Sequence, residues 1–284
     1  MFSPDQYELL DFGGGRRLER FGEVTLDRPC PAAADMPSAD PAAWRRADAR
    51  FDETDAEQGT WTFHRTLPER WTIAHGPLVL EVKPTALGQV GVFPEQAENW
   101  DWIAEQVCEA ASGPLRLLNL FAYTGGSTLA AVAAGAEVAH VDAARTMVAW
   151  ARRNAESSGL TGAPIRWIVE DAVKFVKREI RRRNRYDAVI LDPPSYGHGP
   201  RGEVWRLAKQ LGRLLELCGQ LTLPRRRFLL LTCHTPGFSP ERLRELVAEA
   251  LGGAGRLTAR PLVLRTAAGR ELSAGVVVRW EEAG

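Results

Sequence analysis

Leu117-Leu-Asn-Leu-Phe-Ala-Tyr-Thr-Gly-Gly-Ser127 is an apolar run that breaks at two adjacent glycines. A short apolar run closed by a glycine turn predicts a buried strand that passes into a helix. Further along, Tyr186-Asp-Ala-Val-Ile-Leu-Asp-Pro-Pro-Ser-Tyr196 has the same character, a buried strand whose end presents a carboxylate and a loop stiffened by two prolines. The residues between the two stretches leave room for further strand and helix units. Both loops can therefore lie at the carboxyl edge of one parallel sheet, where open α/β sheets bind ligands. The pattern suggests an enzyme that holds a nucleotide-type cofactor beside a planar substrate.

Outward from these stretches, helix and strand patterns alternate. Asn99 to Ala111 reads as a helix, Leu115 to Phe121 as a strand, Ser127 to Ala134 as a helix and Glu137 to Asp142 as a strand. Ala143 to Ser158 reads as a helix, Ile165 to Val169 as a strand, Ala172 to Arg183 as a helix and Tyr186 to Leu191 as a strand. Val204 to Cys218 is expected to be helical, Arg227 to Thr232 a strand and Pro240 to Leu251 a helix, with Pro261 to Arg265 and Ala274 to Trp280 as closing strands. Such alternation predicts an α/β fold with a mainly parallel, doubly wound sheet. Before it, short apolar segments are punctuated by Asp11-Phe-Gly-Gly-Gly15 and several prolines. Trp61 to His64, Trp71 to Ala74 and Leu78 to Val82 read as strands of a small antiparallel unit, Gly13 to Gly15 as a hairpin turn and Ala32 to Ala43 as a loop. The expected division is a small β-rich domain, 1–97, followed by the α/β domain, 98–284.

A chain of 284 residues can bury a sizeable core. Its 36 basic and 36 acidic side chains cancel, so a nucleic-acid partner would need a local basic surface instead of a long-range field. Cys30, Cys108, Cys218 and Cys233 form no Cys-x-x-Cys pair and the five histidines no ligand spacing, so no metal is expected. The start of the sequence lacks a basic-then-apolar leader, and no apolar run has membrane-spanning length. A cytoplasmic location with reduced thiols is expected, and no membrane association. Nothing in the sequence reports on oligomeric state.

In the first glycine loop, Gly125 and Gly126 remove side chains where backbone must approach a ligand, and the helix behind them offers unpaired N–H groups. Asp142 ends the next strand, where an acid commonly bonds ribose hydroxyls. The full Gly-x-Gly-x-x-Gly fingerprint is missing, which favours a looser amino-acid-binding loop over a pyrophosphate turn. Glu170 and Asp171 follow the third strand. Asp171 suits either an adenine amino group or the N-cap of the next helix.

Asn119-Leu-Phe-Ala-Tyr-Thr-Gly-Gly126, Val141-Asp142, Glu170-Asp-Ala172 and Leu191-Asp-Pro-Pro-Ser195, in this order, resemble class I S-adenosylmethionine-dependent methyltransferases, in particular the ribosomal RNA branch that includes RlmI-type cytosine-C5 enzymes. The resemblance covers roughly Glu81 to Gly284. It implies a Rossmann-like class I methyltransferase sheet, S-adenosyl-L-methionine as cofactor and RNA, in particular ribosomal RNA, as partner. It also implies cofactor contacts from Phe121, Thr124, Gly125, Gly126 and Ser127, with Asp142 on the ribose, Asp171 near the adenine and Asp192 at the methyl-transfer site. Gly91-Val-Phe-Pro-Glu-Gln96 resembles the segment that closes over the cofactor, which adds Phe93 and Gln96.

The chemistry of Asp192-Pro193-Pro194-Ser195 is open to two readings. A similar loop in amino-group methyltransferases accepts hydrogen bonds from the target nitrogen and stacks an aromatic on the base. Here Ser195 occupies the aromatic position and Tyr196 follows one residue late. The other reading adds Leu231-Thr-Cys-His-Thr235, at the end of a later strand. Carbon 5 of cytosine needs an addition at carbon 6 before it becomes nucleophilic, and a thiolate is the usual covalent catalyst. By resemblance Cys233 is that thiol; read as structure, it is a small core residue. Asp192 is then the leading base, with His198 and His234 as alternatives. Pro193, Pro194, Ser195 and Tyr196 form the expected substrate loop. Two basic clusters, Lys174 to Arg185 and Arg225 to Arg227, are available for phosphates or are solvated faces.

Overall fold

A computed structural model describes residues 1–55, 58–110, 113–252 and 255–282. Residue contacts group the chain into two units, Met1–Glu98 with Val263–Ala274, and Asn99–Leu262 with Gly275–Gly284. No helix among the described residues is long and apolar enough to cross a membrane.

In the first unit, β1 (Tyr7–Gly13), β2 (Arg16–Phe21) and β3 (Val24–Pro29) precede a one-turn helix, α1 (Pro41–Trp44), and two further strands, β4 (Ala49–Asp55) and β5 (Gln58–Phe63). These strands form one sheet in sequence order, antiparallel except that β3 runs parallel to β4. Gly14 and Gly15 make the β1–β2 turn with φ of 57° and 75°, a left-handed conformation that favours glycine. The strands β6 (Trp71–His75) and β7 (Leu78–Val82) pair only with each other. The small antiparallel unit read from the sequence is thus two sheets, with β5 in one and the β6–β7 hairpin in the other. The stretch read as a loop after Cys30 contains a 3₁₀ turn (Pro31–Ala33) and α1, capped by Asp40.

The segment Val263–Ala274 groups with the first unit for a reason that the sequence hides. Arg270 donates to the Asp11 carboxylate at 2.6 Å and to the carbonyls of Phe12 and Pro37. Burial opposes the charge on Asp11, but amide bonds from Asp40, Ala39 and Phe12, with the Trp44 indole, hold its carboxyl at about 2.

The second unit opens at Asn99, within α2 (Ala97–Cys108), where the sequence reading extends to Ala111, a residue outside those described. Then come β8 (Arg116–Leu120), α3 (Gly126–Ala133), β9 (Glu137–Asp142), α4 (Arg145–Ser157), β10 (Ile165–Val169), α5 (Ala172–Arg181) and β11 (Ala188–Leu191). A hairpin, β12 (Tyr196–His198) and β13 (Val204–Arg206), leads to α6 (Leu207–Thr222), β14 (Phe228–Cys233), α7 (Pro240–Leu251), β15 (Gly255–Arg265) and β16 (Glu271–Glu282). The seven-stranded sheet has the order β10-β9-β8-β11-β14-β16-β15, with β10 through β14 parallel and β16 antiparallel to β14. The strand order reverses between β8 and β11, so the loops after these two strands flank the switch point where such sheets bind ligands.

Alternate residues of the central strands feed opposite cores, as the pleat requires. Leu118, Leu120, Val189, Leu191, Leu229 and Leu231 join one apolar cluster with Phe175 and the leucines of α6. Leu117, Ala188, Ile190, Phe228 and Leu230 join the other, with Ile103 and Ala131. Burial on both faces explains why these strands read as unbroken apolar runs.

The closing strand β15 begins earlier than its sequence reading, at Gly255 instead of Pro261, and helix α6 begins later. Val204 to Arg206 pairs as a strand with Tyr196–His198, and the helix begins only at Leu207. The Trp205 indole donates to the Pro194 carbonyl (2.7 Å), and the Leu207 amide to that of Ser195 (3.0 Å). These bonds tie the residues before α6 to the Asp-Pro-Pro loop in extended form.

Candidate active site

Between β8 and α3 the backbone takes positive φ at Phe121 (56°), Tyr123 (50°) and Gly125 (93°). Two of these are bulky residues in a conformation that costs of order 1 kcal/mol or more each, strain of the kind that clusters at ligand sites. A side chain at Gly125 would place its Cβ 3.0 Å from that of Ala151. At Gly126 it would enter the Trp100 ring. Both positions are thus closed to other residues from behind, leaving bare backbone on the loop. Gly125 is the N-cap of α3 and supplies no side-chain bond to it, so the first N–H groups of the helix, Ser127 among them, suit a carboxylate. Thr124 is buried, its carbonyl taken by the Asn154 amide at 2.9 Å, while Phe121 packs on Trp205.

Asp142 sits across from this loop. Its Oδ2 accepts from the Tyr123 amide and its Oδ1 from that of Ala144, both at 2.8 Å, which fixes the carboxylate plane. Each oxygen keeps acceptor capacity for a hydroxyl, the requirement of a ribose. Burial pushes the Asp142 carboxyl up despite the two amide bonds. Glycine backbone, an open helix N-terminus and a fixed acid thus fit the amino-acid and ribose parts of S-adenosylmethionine.

Asp171 accepts from the Lys174 amide at 2.9 Å and caps α5; of the two roles open in the sequence, the structure displays the cap. Glu170 pairs with Arg178. Phe93 and Gln96 belong to the first unit, where Phe93 enters a 3₁₀ turn, Pro94–Gln96, and Gln96 is buried.

The ends of β11 and β14 meet as the sequence suggests. Thr232 Oγ1 donates to Asp192 Oδ1 at 2.6 Å, and His234 Nε2 lies 3.2 Å from the same oxygen. Ser195 Oγ and Thr235 Oγ1 are 2.7 Å apart. Burial works against the Asp192 charge, but the neighbouring His234 and the bonds from His234 and Thr232 hold its carboxyl below the usual range. Pro193 is buried, whereas Pro194, Ser195 and Tyr196 are exposed, and Tyr196 meets His198 edge-on with its hydroxyl 3.1 Å from Nε2.

Cys233 ends β14 inside the apolar cluster and is 1% exposed. Burial raises its thiol, hydrogen bonds from the Thr235 amide and hydroxyl lower it, and Asp192 raises it again; the net direction is up. The four cysteines are free.

Two parts of the site escape a sequence reading. Trp205 links Phe121 of the cofactor loop to the Pro194 carbonyl and so joins the two loops. Its only signal is an aromatic 11 residues after a proline loop. The other is a buried polar chain beneath the glycines. Asn119 Nδ2 donates to Thr128 Oγ1 (2.9 Å), and the same hydroxyl shares a hydrogen bond with His140 Nδ1 (2.9 Å), whose donor is set by the tautomer of the ring. Polar residues inside apolar strands are its signal. Burial, with Arg152 nearby, lowers the His140 pKa from 6.5 to about 3. Because the folded value is depressed, the neutral ring stabilises the fold fully above pH 6.5, and this contribution is lost as pH falls towards 3. The expected cost is roughly 1.4 kcal/mol per pH unit. Thermal melts between pH 7 and 4 should show a steeper loss for the wild type than for His140→Leu; parallel curves would mean that His140 is not the titrating group.

A switch-point loop with glycines on an open helix, a ribose-type acid on the next strand and an Asp-Pro-Pro loop facing them define a Rossmann-like enzyme that holds S-adenosylmethionine. Residues 52–258 match the model of the S-adenosylmethionine-dependent methyltransferases, and the chain belongs to that family. The crystal structure of an S-adenosylmethionine-dependent methyltransferase from Agrobacterium tumefaciens is 39% identical and superposes with a TM-score of 0.93, over 98% of this chain and 91% of that one. Ribosomal RNA large subunit methyltransferase I of Aeromonas salmonicida is 28% identical over 204 residues, 67% of this chain and 50% of the relative. Ribosomal RNA large subunit methyltransferase K/L of Hahella chejuensis is 32% identical over 136 residues, 47% of this chain and 18% of the relative. The chain thus spans half or less of the length of these two curated relatives.

Proposed function

We propose that the chain methylates a base of ribosomal RNA, at carbon 5 of cytosine, through a transient adduct with Cys233. The observation that carries this reading is the meeting of the two loop ends, which gathers Asp192, Ser195, Cys233, His234 and Thr235 at one edge of the sheet. The similarity to large-subunit ribosomal RNA methyltransferases supports the choice of RNA.

Bound S-adenosylmethionine supplies an electrophilic methyl group, with Gly125, Gly126 and Ser127 at its amino-acid end and Asp142 at its ribose. The chemistry of this chain's own residues begins with Cys233. Its thiolate, aided by the Thr235 donors, adds to carbon 6 and shifts the electron pair of the 5,6 double bond to carbon 5, which then forms its bond to the methyl carbon as the sulfonium carbon–sulfur bond breaks and S-adenosylhomocysteine leaves. Asp192, kept ionised beside His234, accepts the proton from carbon 5. The electrons of that C–H bond rebuild the double bond and expel Cys233 as thiolate. Tyr196 and Pro194, both exposed, offer faces on which an unpaired or flipped base can stack.

The near-complete burial of Cys233 favours a second reading, in which the thiol is structural and Asp192 accepts a hydrogen bond from an exocyclic amine of the base. One experiment separates them. Unmodified large-subunit ribosomal RNA is incubated with the protein and labelled S-adenosylmethionine, then digested for nucleoside mass spectrometry. Label in 5-methylcytidine is expected, label in an N-methylated base supports the amine chemistry, and no incorporation overturns RNA as substrate.

A further inference from the structure

The structure treats the two basic clusters of the sequence differently. Arg225 pairs with Asp187, and Arg227 with Glu282. Arg226 is buried and donates to Thr222 Oγ1 and to the carbonyls of Gly219 and Leu251. That cluster is used within the fold.

On α5, Lys174, Lys177, Arg178 and Arg181 fall at i, i+3, i+4 and i+7, which places them along one helical face. Phe175, Val176 and Glu179 are buried on the other side. The charged face opens onto a groove of about 620 Å³, whose lining also includes Arg201, from the turn between β12 and β13, one carboxylate, Glu170, and the apolar side chains of Ile180 and Leu217. Lys174 pairs with Glu203 of that hairpin, and Arg178 with Glu170. Among the described residues, no carboxylate pairs with the side chains of Lys177, Arg181 or Arg201. A solvated helix face has one wall; here unpaired cations from two separate elements share a concavity. The hairpin that supplies Arg201 begins at Tyr196, directly after Asp192-Pro-Pro-Ser195, and so joins the groove to the chemical edge.

The geometry points to this groove as the seat of the phosphodiester backbone of the RNA strand that flanks the target base. The assignment rests on the RNA reading above. In a chain of zero net charge, local cations must supply the attraction that a strongly basic protein obtains from its whole field.

The test uses the full chain and a labelled fragment of large-subunit ribosomal RNA, with binding measured across a salt series. For Lys177→Glu/Arg181→Glu and, separately, Arg201→Gln, affinity should fall, by on the order of tenfold or more for the double variant, and the salt slope by about 1 for each cation lost. S-adenosylmethionine affinity and thermal melting should stay unchanged, since the altered side chains are exposed; Lys177→Arg should restore binding. If the wild type methylates RNA and the variants keep its KM and salt slope, the groove assignment falls and the proposed function stands. Groove-dependent RNA binding without any methylated product leaves the assignment standing and removes the function. Variant-sensitive binding to phosphatidylserine vesicles with no affinity for RNA overturns the assignment.

Discussion

Asp192→Asn is expected to lower the single-turnover rate of methyl transfer by about 10²–10⁴-fold, the span usual for removing a positioned proton acceptor. Asparagine has the same shape, and its Oδ1 can still accept from Thr232, whose hydroxyl lies 2.6 Å from the present carboxylate. The fold should therefore survive. The loss is electrostatic: His234 no longer faces an anion, and the carboxylate that would accept the proton from carbon 5 in the proposed chemistry is gone. Calorimetry should find S-adenosylmethionine affinity within a few-fold of wild type, because the contacts assigned to the cofactor lie mostly on the β8 loop and Asp142. Since His234 and Thr232 hold the Asp192 carboxyl below its usual range, this acid stays charged throughout neutral pH. A rate loss between pH 7 and 5 in the wild type must then come from another group. A variant that retains more than a tenth of the rate would remove Asp192 from the role of base.

The parts of this protein legible in the sequence are those that one element decides alone. The strands Glu137–Asp142 and Ile165–Val169 have the expected bounds because the chain is punctuated beside them, by Gly135 at the end of α3 and by the cap Asp171 before α5. Helix α7 starts where Ser239 and Pro240 require it. Both site loops follow from apolar runs that end in residues unable to continue a strand. What stayed hidden depends on partners distant in sequence. Trp205 becomes part of a strand through the carbonyl of Pro194. Arg270 serves the first unit through Asp11, 259 residues away. Arg226 looks like a surface cation and is a buried clamp on α6 and α7. Asn119 and His140 communicate through Thr128 on a helix between their strands. Charge and polarity on one element are visible in a sequence, while the group that neutralises them is set by topology.

Cys233→Ala should abolish turnover, by on the order of 10³-fold or more, about 4 kcal/mol of barrier, if carbon 5 is the target. Cys233 is small and packed among larger apolar groups, so loss of one sulfur leaves a minor void and costs roughly 1 kcal/mol of stability. A soluble, folded variant is therefore expected, and its inactivity is chemical. The pH profile gives an independent readout. Burial raises the Cys233 thiol against the pull of Thr235, so the thiolate fraction grows as pH climbs through and above the ordinary thiol range. A covalent mechanism predicts a wild-type rate that rises tenfold per pH unit on the alkaline side of neutrality, and Thr235→Val, which removes one of the donors, should shift that rise to higher pH. RNA carrying 5-fluorocytidine supplies the direct test. With fluorine at carbon 5 there is no proton to lose after methylation, so the adduct persists and the wild-type protein should migrate with its RNA through denaturing electrophoresis. Cys233→Ala should not. If the variant turns over at the wild-type rate and the wild type leaves no adduct, the thiol is only the last residue of a buried strand, and methylation proceeds at an amine held by Asp192.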